Sequence, residues 1–101
     1  NRYGGTALIP AAERGHVQTV RILIAAGVDV NHINNLHWTA LMEAIVLSNG
    51  GPLHVEIVRQ LVDAKADVHL ADAQGVTPLQ HARQRGYQQI EEILLRAGAQ
   101  R

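Results

Sequence analysis

The sequence predicts an all-α repeat solenoid, in which three helix-turn-helix-loop units are stacked side by side. Three segments of the form Thr-x-Leu-x-x-Ala carry this prediction, and they begin at Thr6, Thr39 and Thr77. Self-similarity with a period of about 20–50 residues is typical of repeat architectures. Units of this kind contact only their neighbours, so the array is expected to present a long shared surface instead of an enclosed pocket.

The repeat divides a single domain, 1–101, into units 1–33, 34–71 and 72–101. We expect the Thr of each unit to be the N-cap of the first helix, because its side-chain oxygen can accept a hydrogen bond from a free backbone N–H. Pro78 suits the first helical position. Pro10 is expected within the first turn of its helix, where N–H groups have no helical partner.

Aliphatic residues at i, i+3 and i+4 spacing predict an amphipathic second helix in each unit. Gly27 and Gly98 are expected to end this helix in the left-handed conformation, which Gly adopts without strain. Lys65 stands at the equivalent place, at a cost of about 1 kcal/mol relative to Gly. Residues 28–31 and 66–69 are then expected to be extended and to lead to a turn.

The pattern Asp-x-x-Gly-x-Thr-Pro-Leu-x-x-Ala, followed by Gly and Gly-Ala, resembles the ankyrin repeat and is clearest from Asp72 to Ala99. The resemblance covers essentially the whole chain and is specific for the fold. It implies three stacked ankyrin repeats with β-turn or hairpin-like connections. Residues 30–41 and 80–83 also resemble bacterial ankyrin-repeat proteins.

The second unit is longer than the first, and the extra residues fall at 48–53, between its two helices. Because Gly50-Gly51-Pro52 cannot continue a helix, we expect a protruding loop here. Surface loops lengthen at little energetic cost. The segment is therefore either a tolerated insertion or an added contact loop beside the binding surface.

The third unit carries charge where the first two are apolar, since Arg83 and Glu91 replace Ala or aliphatic residues. These positions are expected to face the next unit, so the charge predicts a C-terminal capping repeat. Unit one shows no such change, and the chain begins mid-pattern at Asn1. We therefore expect the chain to be the C-terminal part of a longer array. In the isolated chain, self-association through the uncapped N-terminal repeat would take the place of the missing unit.

Composition disfavours several classes of function. Nine Lys and Arg residues balance nine Asp and Glu residues, so no basic excess exists to neutralise nucleic-acid phosphates. No apolar run approaches the roughly 20 residues of a membrane span. The expected partner is thus neither nucleic acid nor membrane. With no Cys and no signal peptide in view, a cytoplasmic and a periplasmic location both stay open.

Catalytic and metal sites find no support in the sequence, and no cofactor is expected. It contains no Gly-x-Ser-x-Gly elbow, phosphate loop or His-Glu-x-x-His motif. The separation of His32 and His37 does not match a helix-face pair of metal ligands. The resemblance to ankyrin repeats implies instead that His16 and His54 bond to nearby backbone.

The resemblance also implies that partner contacts come from turn tips and exposed first-helix positions, which form a concave face. The partner-binding candidates carried over in this way are Tyr3, Arg14, Asn35, Leu36, Trp38, Val46, Leu47, Gln74, Gln84 and Arg85. Further turn or helix positions of the same kind are Arg2, Gly5, Glu13, Ile33, Ala71, Ala73 and Val76.

Trp38 is the only Trp and directly precedes the Thr39 N-cap, at a position that the implied fold leaves exposed. Trp is enriched among interface hot spots because it buries a large area with few rotatable bonds. With Leu36, Val46 and Leu47 it would form an apolar patch on unit two. In the alternative interpretation, Trp38 packs on neighbouring turns, and Val46 and Leu47 pack beneath the inserted loop.

The sequence therefore predicts a non-catalytic protein–protein interaction module that binds its partner through the concave face and the turn tips. A regulatory or protective subunit of an enzyme is the alternative from a different class. A metal-binding protein or an enzyme is the least favoured interpretation.

Overall fold

A computed structural model describes residues 2–35 and 37–99, with the backbone alone for residues 2–6. This part of the chain contains six α-helices and no strand: α1 Arg2–Glu13, α2 Val17–Ala25, α3 Ala40–Val46, α4 Pro52–Asp63, α5 Pro78–Arg85 and α6 Gln88–Arg96. The first helices form one row, in which α3 packs against both α1 and α5, and the second helices form another, in which α4 packs against α2 and α6. The prediction of an all-α repeat solenoid is confirmed.

The core repeats with the sequence. Leu8, Leu41 and Leu79, which follow the Thr of each unit by two residues, are all fully buried. Ile57 and Ile90 add equally buried side chains from α4 and α6. Full burial of such a side chain contributes about 1.5–3 kcal/mol. The sequence repeat is therefore a repeat of core positions.

The predicted helix caps are confirmed in units two and three. The Oγ1 of Thr39 accepts a hydrogen bond from the Met42 N–H at 3.2 Å. Thr77 accepts the equivalent bond from the Gln80 N–H, and the Gln80 side chain accepts in return from the Thr77 N–H at 3.0 Å, which completes a capping box. Pro78 occupies the first helical position, as expected.

The prediction for the start of unit one is wrong. Helix α1 begins at Arg2, so Thr6 lies inside the helix and Pro10 lies well past its first turn. Arg2, Tyr3 and Gly5 were expected on a turn tip and are helical instead. Helix formation satisfies the backbone N–H and C=O groups of this segment locally, which a turn does only with help from a side chain.

The left-handed helix ends are confirmed, with φ of 84° at Gly27, 73° at Lys65 and 99° at Gly98. At Lys65 the helix end is closed by the Ala66 N–H, which donates to the Leu61 carbonyl at 2.9 Å. The extended segments beyond these residues are shorter than predicted, because turns already begin at residues 30 and 68.

The inserted segment is a protruding loop only in its first part. Helix α4 begins at Pro52, so Pro52 and Leu53 form its first turn and the connecting loop spans 47–51. Proline starts helices readily because the first N–H needs no helical partner. The insertion therefore lengthens α4 to 12 residues, whereas α2 and α6 have nine each.

Candidate interaction surface

Two turns with the same hydrogen bonds precede α3 and α5. The Asn34 N–H donates to the Trp38 carbonyl at 2.9 Å, and the Trp38 N–H donates to Asn34 Oδ1 at 3.0 Å. Asp72 and Val76 exchange the same two bonds, each 3.0 Å long. Side chains at these turn tips are therefore carried on a backbone that an Asn or Asp side chain holds closed.

A partly buried polar pair joins each of these turns to the helix that follows it. In unit two, Asn34 Nδ2 donates to Glu43 Oε2 at 3.0 Å. In unit three, His81 Nε2 lies 2.8 Å from Asp72 Oδ2. The polarity is reversed, since unit two has its donor on the turn and unit three has its acceptor there. Sequence reasoning missed these pairs, although the shared nine-residue spacing is visible in the sequence.

The two pairs differ in the direction in which the pKa of their carboxyl group is shifted. Burial raises the pKa of the Glu43 carboxyl; the hydrogen bond from Asn34 opposes the rise, and the nearby charge of Glu13 adds to it. The hydrogen bond from His81, with a second from the Val76 N–H, lowers the pKa of Asp72.

Arg85 extends the unit-three pair into a chain of three side chains. Its Nη1 lies 3.0 Å from His81 Nδ1 and donates to the His81 carbonyl at 3.3 Å. Because a guanidinium only donates, Nδ1 must be the acceptor, and the proton on Nε2 is then donated to Asp72. The turn, the helix and one guanidinium of unit three are thereby held in a single arrangement.

Contacts between units recur at equivalent positions. His54 Nε2 lies 2.8 Å from the Glu13 carbonyl, at the end of the preceding first helix. The Tyr87 hydroxyl, at the same position one unit later, donates to the Ser48 carbonyl at 2.9 Å. The expectation that His54 bonds to backbone is therefore confirmed. His16 is the unit-one equivalent; it is exposed and has no hydrogen bond to its ring within the described part of the chain.

Tyr87 also holds the inserted loop. A Cβ atom placed on Gly50, whose φ is 69°, would lie 2.5 Å from Tyr87 Cδ1. The ring thus packs directly on the loop backbone while its hydroxyl binds the Ser48 carbonyl. The loop is fastened to unit three, and its path depends on a residue far away in the sequence.

The two outer faces of the array differ. Ile22 on α2 is 65% exposed. Its equivalents, Gln60 and Ile93, line grooves against the preceding second helix. At the other end, Arg83 and Glu91 form a partly exposed ion pair, with Arg83 Nε 2.9 Å from Glu91 Oε2. The equivalent positions in units one and two are Ala12, Ile45, Val20 and Val58, all fully buried.

The structure describes eight of the ten predicted partner-binding side chains, whereas Leu36 and the Tyr3 side chain lie outside the described residues. Trp38 and Val46 are half-buried. The exposed members are Arg14, Asn35, Leu47, Gln74, Gln84 and Arg85. One group lies on the turn tips and the other at the ends of α1, α3 and α5, which are adjacent helices. Leu47 is 48% exposed, so the inserted loop does not cover it.

Other features of the structure lie away from these residues. A groove of about 620 Å³ between α4 and α6 is lined by residues that include Arg59, Val62, Ile93 and Arg96, on the side of the second helices. Residues 2–35 and 37–99 contain no group of three His, Cys, Asp or Glu side chains that could hold a metal ion. None of the helices in this part of the chain has the length and hydropathy of a membrane span.

Paired helices in two rows, with hydrogen-bonded turns and an exposed row of first-helix ends, define a helical repeat protein that offers a surface for contact. The chain belongs to the ankyrin repeat family, because the family model described as ankyrin repeats (3 copies) matches residues 1–72. The resemblance drawn from the sequence is thus confirmed. Ankyrin repeats are generally protein–protein interaction modules and are typically non-catalytic.

Bacterial proteins are among its relatives. The ankyrin repeat protein YahD of Escherichia coli (strain K12) is 46% identical over 97% of this chain and 49% of its own length. A crystal structure of an ankyrin repeat domain from Acinetobacter baumannii AYE matches with a TM-score of 0.94 and 68% identity, over 99% of this chain and 51% of that one. The ankyrin repeat protein EF0377 matches with a TM-score of 0.86 and 43% identity, over 94% and 48%. The chain spans about half the length of these relatives.

Proposed function

We propose that this chain is a non-catalytic interaction module that binds a protein partner through the concave face and the turn tips, with unit two central. The observation that carries the proposal is the exposure of apolar side chains at both ends of α3. Leu47 is 48% exposed at the end of the helix, and Ile33 is 46% exposed on the turn before it. Trp38 is half-buried beside the same turn.

The backbone under these residues supports the proposal. The reciprocal bonds between Asn34 and Trp38 close the turn, and the Thr39 cap fixes the start of α3. Side chains on a backbone that is already ordered lose less entropy when a partner binds. A fixed surface of this kind suits recognition of a protein partner.

Site-specific photo-crosslinking in the native host tests the proposal. A photoreactive amino acid replaces Leu47 in one variant and Trp38 in another, and mass spectrometry identifies the adducts. Arg21→photoreactive residue is the matched control, because Arg21 is exposed on the second-helix side. We expect the same partner protein from both unit-two positions and not from position 21. Adducts formed only at position 21 would contradict the proposal.

The same experiment tests the regulatory-subunit alternative. An adduct with an enzyme whose activity or half-life changes when this chain is present would select that alternative.

We also propose that the exposed face of unit one receives another ankyrin unit in the parent protein. Ile22 stands where Gln60 and Ile93 contact a preceding unit, and His16 stands where His54 and Tyr87 bond to a preceding helix end. The relatives are about twice as long as this chain, which supports an array of more units.

This second proposal is tested with the parent protein. His16→Ala should lower the free energy of unfolding of the parent by about 1 kcal/mol through the lost hydrogen bond. In the isolated 101-residue chain the same substitution should change little. Equal effects in both proteins would contradict the proposal.

A further inference from the structure

The ends of the three first helices place an apolar side chain between two cations. Arg14, Leu47 and Arg85 follow the Thr of their units by the same eight residues. Helix α3 packs between α1 and α5, so the order across the surface is Arg14, Leu47, Arg85. Neighbouring helices pack about 8–10 Å apart. The backbone of each arginine therefore lies about 10 Å to one side of the Leu47 backbone.

The apolar part of this surface extends towards unit one. Leu53, in the first turn of α4, is 58% exposed. Its Cβ lies 3.7 Å from the position that a Cβ on Gly15 would occupy, directly beside Arg14 in the sequence. We name these four residues, Arg14, Leu47, Leu53 and Arg85, the arginine–leucine row.

Both arginines are available to a ligand. The Arg14 guanidinium makes no hydrogen bond or ion pair within the described part of the chain. Arg85 is oriented by His81 through Nη1, which leaves Nε and Nη2 without a partner among the described residues. Of the carboxylates near the row, Glu43 is buried, Glu13 is half-buried and Glu56 pairs with Arg59. The exposed charged side chains of the row itself are the two arginines, one on each side of the leucines.

Given the proposed interaction function, on which this inference rests, we propose that the arginine–leucine row binds an acidic protein segment. The segment has an apolar side chain that packs on Leu47 and Leu53, and a carboxylate about 10 Å to each side that pairs with Arg14 or Arg85. A helix rises about 1.5 Å per residue, so acidic residues seven positions before and after the apolar residue meet this spacing. Guanidinium and carboxylate groups form two parallel hydrogen bonds, which makes the pairing selective.

A peptide-display selection against the full 101-residue chain tests this proposal, with dissociation constants of enriched peptides measured by fluorescence anisotropy. We expect enrichment of peptides with acidic residues seven positions before and after an apolar residue. Arg14→Glu should raise Kd about tenfold or more, because it places like charges together. The control Arg21→Glu makes the same charge change on α2 and should leave Kd unchanged.

A charge swap between chain and peptide distinguishes a lost ion pair from a misfolded variant. Replacing the matching peptide carboxylate by Lys should restore binding to the Arg14→Glu variant and weaken binding to the unaltered chain. Arg85→Glu, checked by circular dichroism because Arg85 bonds to His81, should behave like Arg14→Glu.

Several outcomes would overturn the inference. A selection that yields no acidic binder would do so, as would a failed charge swap at Arg14. If enriched peptides are lost with Trp38→Ala but not with either arginine variant, the proposed function survives and the acidic partner does not. If they are lost only with Arg21→Glu or Ile22→Ala, both proposals fail.

Discussion

At the scale of single residues, the partly buried pairs that join turn to helix are the least expected feature. Asn34 with Glu43 and Asp72 with His81 occupy equivalent positions with opposite polarity. A buried polar group is costly unless it is paired, so each substitution on the helix requires a matching residue on the turn. The turns that carry the candidate contact residues are therefore tied to the first helices by chemistry specific to each unit.

The raised pKa of Glu43 predicts a stability that depends on pH. Because the folded state favours the protonated carboxyl, the stability that it contributes is present at low pH and is lost as pH rises through the raised pKa. Glu43→Gln keeps an acceptor for Asn34 and removes the charge, so the free energy of unfolding at pH 7 should increase. Urea denaturation at pH 7 and at pH 5 measures this. A variant that is less stable at pH 7 would contradict the assignment of burial as the main cause.

The contact between Gly50 and Tyr87 predicts a difference between two glycines with the same backbone conformation. Gly50→Ala adds a Cβ that overlaps the Tyr87 ring and should cost at least about 2 kcal/mol. Gly75→Ala, at φ 81° with nothing within 4 Å of the new atom, should cost only about 1 kcal/mol. Urea denaturation of both variants makes the comparison. Equal costs would show that Tyr87 does not hold the loop.

At the scale of elements, the helices that follow a Thr cap in units two and three could be predicted because their signals are local. Thr39, Thr77 and Pro78 act within one turn of the chain. The start of α1 could not be predicted in the same way. A Thr residue favours a helix start at Thr6, but the backbone hydrogen bonds of α1 continue past it to Arg2. The position of residues 48–51 depends on Tyr87, almost forty residues away. Local patterns do not contain such a contact.

The candidate surface could be predicted in part. The alignment of the three units placed Arg14, Leu47 and Arg85 at equivalent positions, and the structure shows all three exposed at adjacent helix ends. Exposure itself depends on packing between units, so the half-burial of Trp38 and the 58% exposure of Leu53 required the structure. The orientation of Arg85 by His81 likewise needs three-dimensional proximity.

Trp38 belongs to the turn before α3, and its contribution to binding stays a prediction. If it anchors the partner, Trp38→Ala should weaken binding by about 2 kcal/mol or more. Isothermal titration with the crosslinked partner measures the change, and Trp38→Phe serves as a control that keeps an aromatic ring. An unchanged dissociation constant with folding intact would remove Trp38 from the site.

At the scale of the whole molecule, the two ends of the stack are unlike. One end presents Ile22 at 65% exposure, and the other presents the Arg83–Glu91 ion pair. An exposed isoleucine at a position built for contact favours association with another unit, whereas a partly hydrated ion pair suits contact with water. The asymmetry supports the proposals of an open N-terminal face and a C-terminal capping repeat.

The open face predicts self-association of the isolated chain. Sedimentation velocity should show an apparent mass that rises with protein concentration. Association buries the face that carries Ile22, and removing apolar surface from water is favourable. Ile22→Glu should abolish the rise, and Leu53→Glu, which alters a leucine of comparable exposure on α4, should not. A monomer at every concentration would contradict the prediction.

The central claim is that unit two contacts a protein partner through its first-helix face. The most direct test is the dissociation constant of the crosslinked partner for Leu47→Asp and for Ile22→Asp, two exposed positions on opposite rows of helices. The account predicts a loss of about tenfold or more for Leu47→Asp, through a buried and unpaired charge, and no loss for Ile22→Asp. The reverse result, with Ile22→Asp as the damaging change, would contradict it.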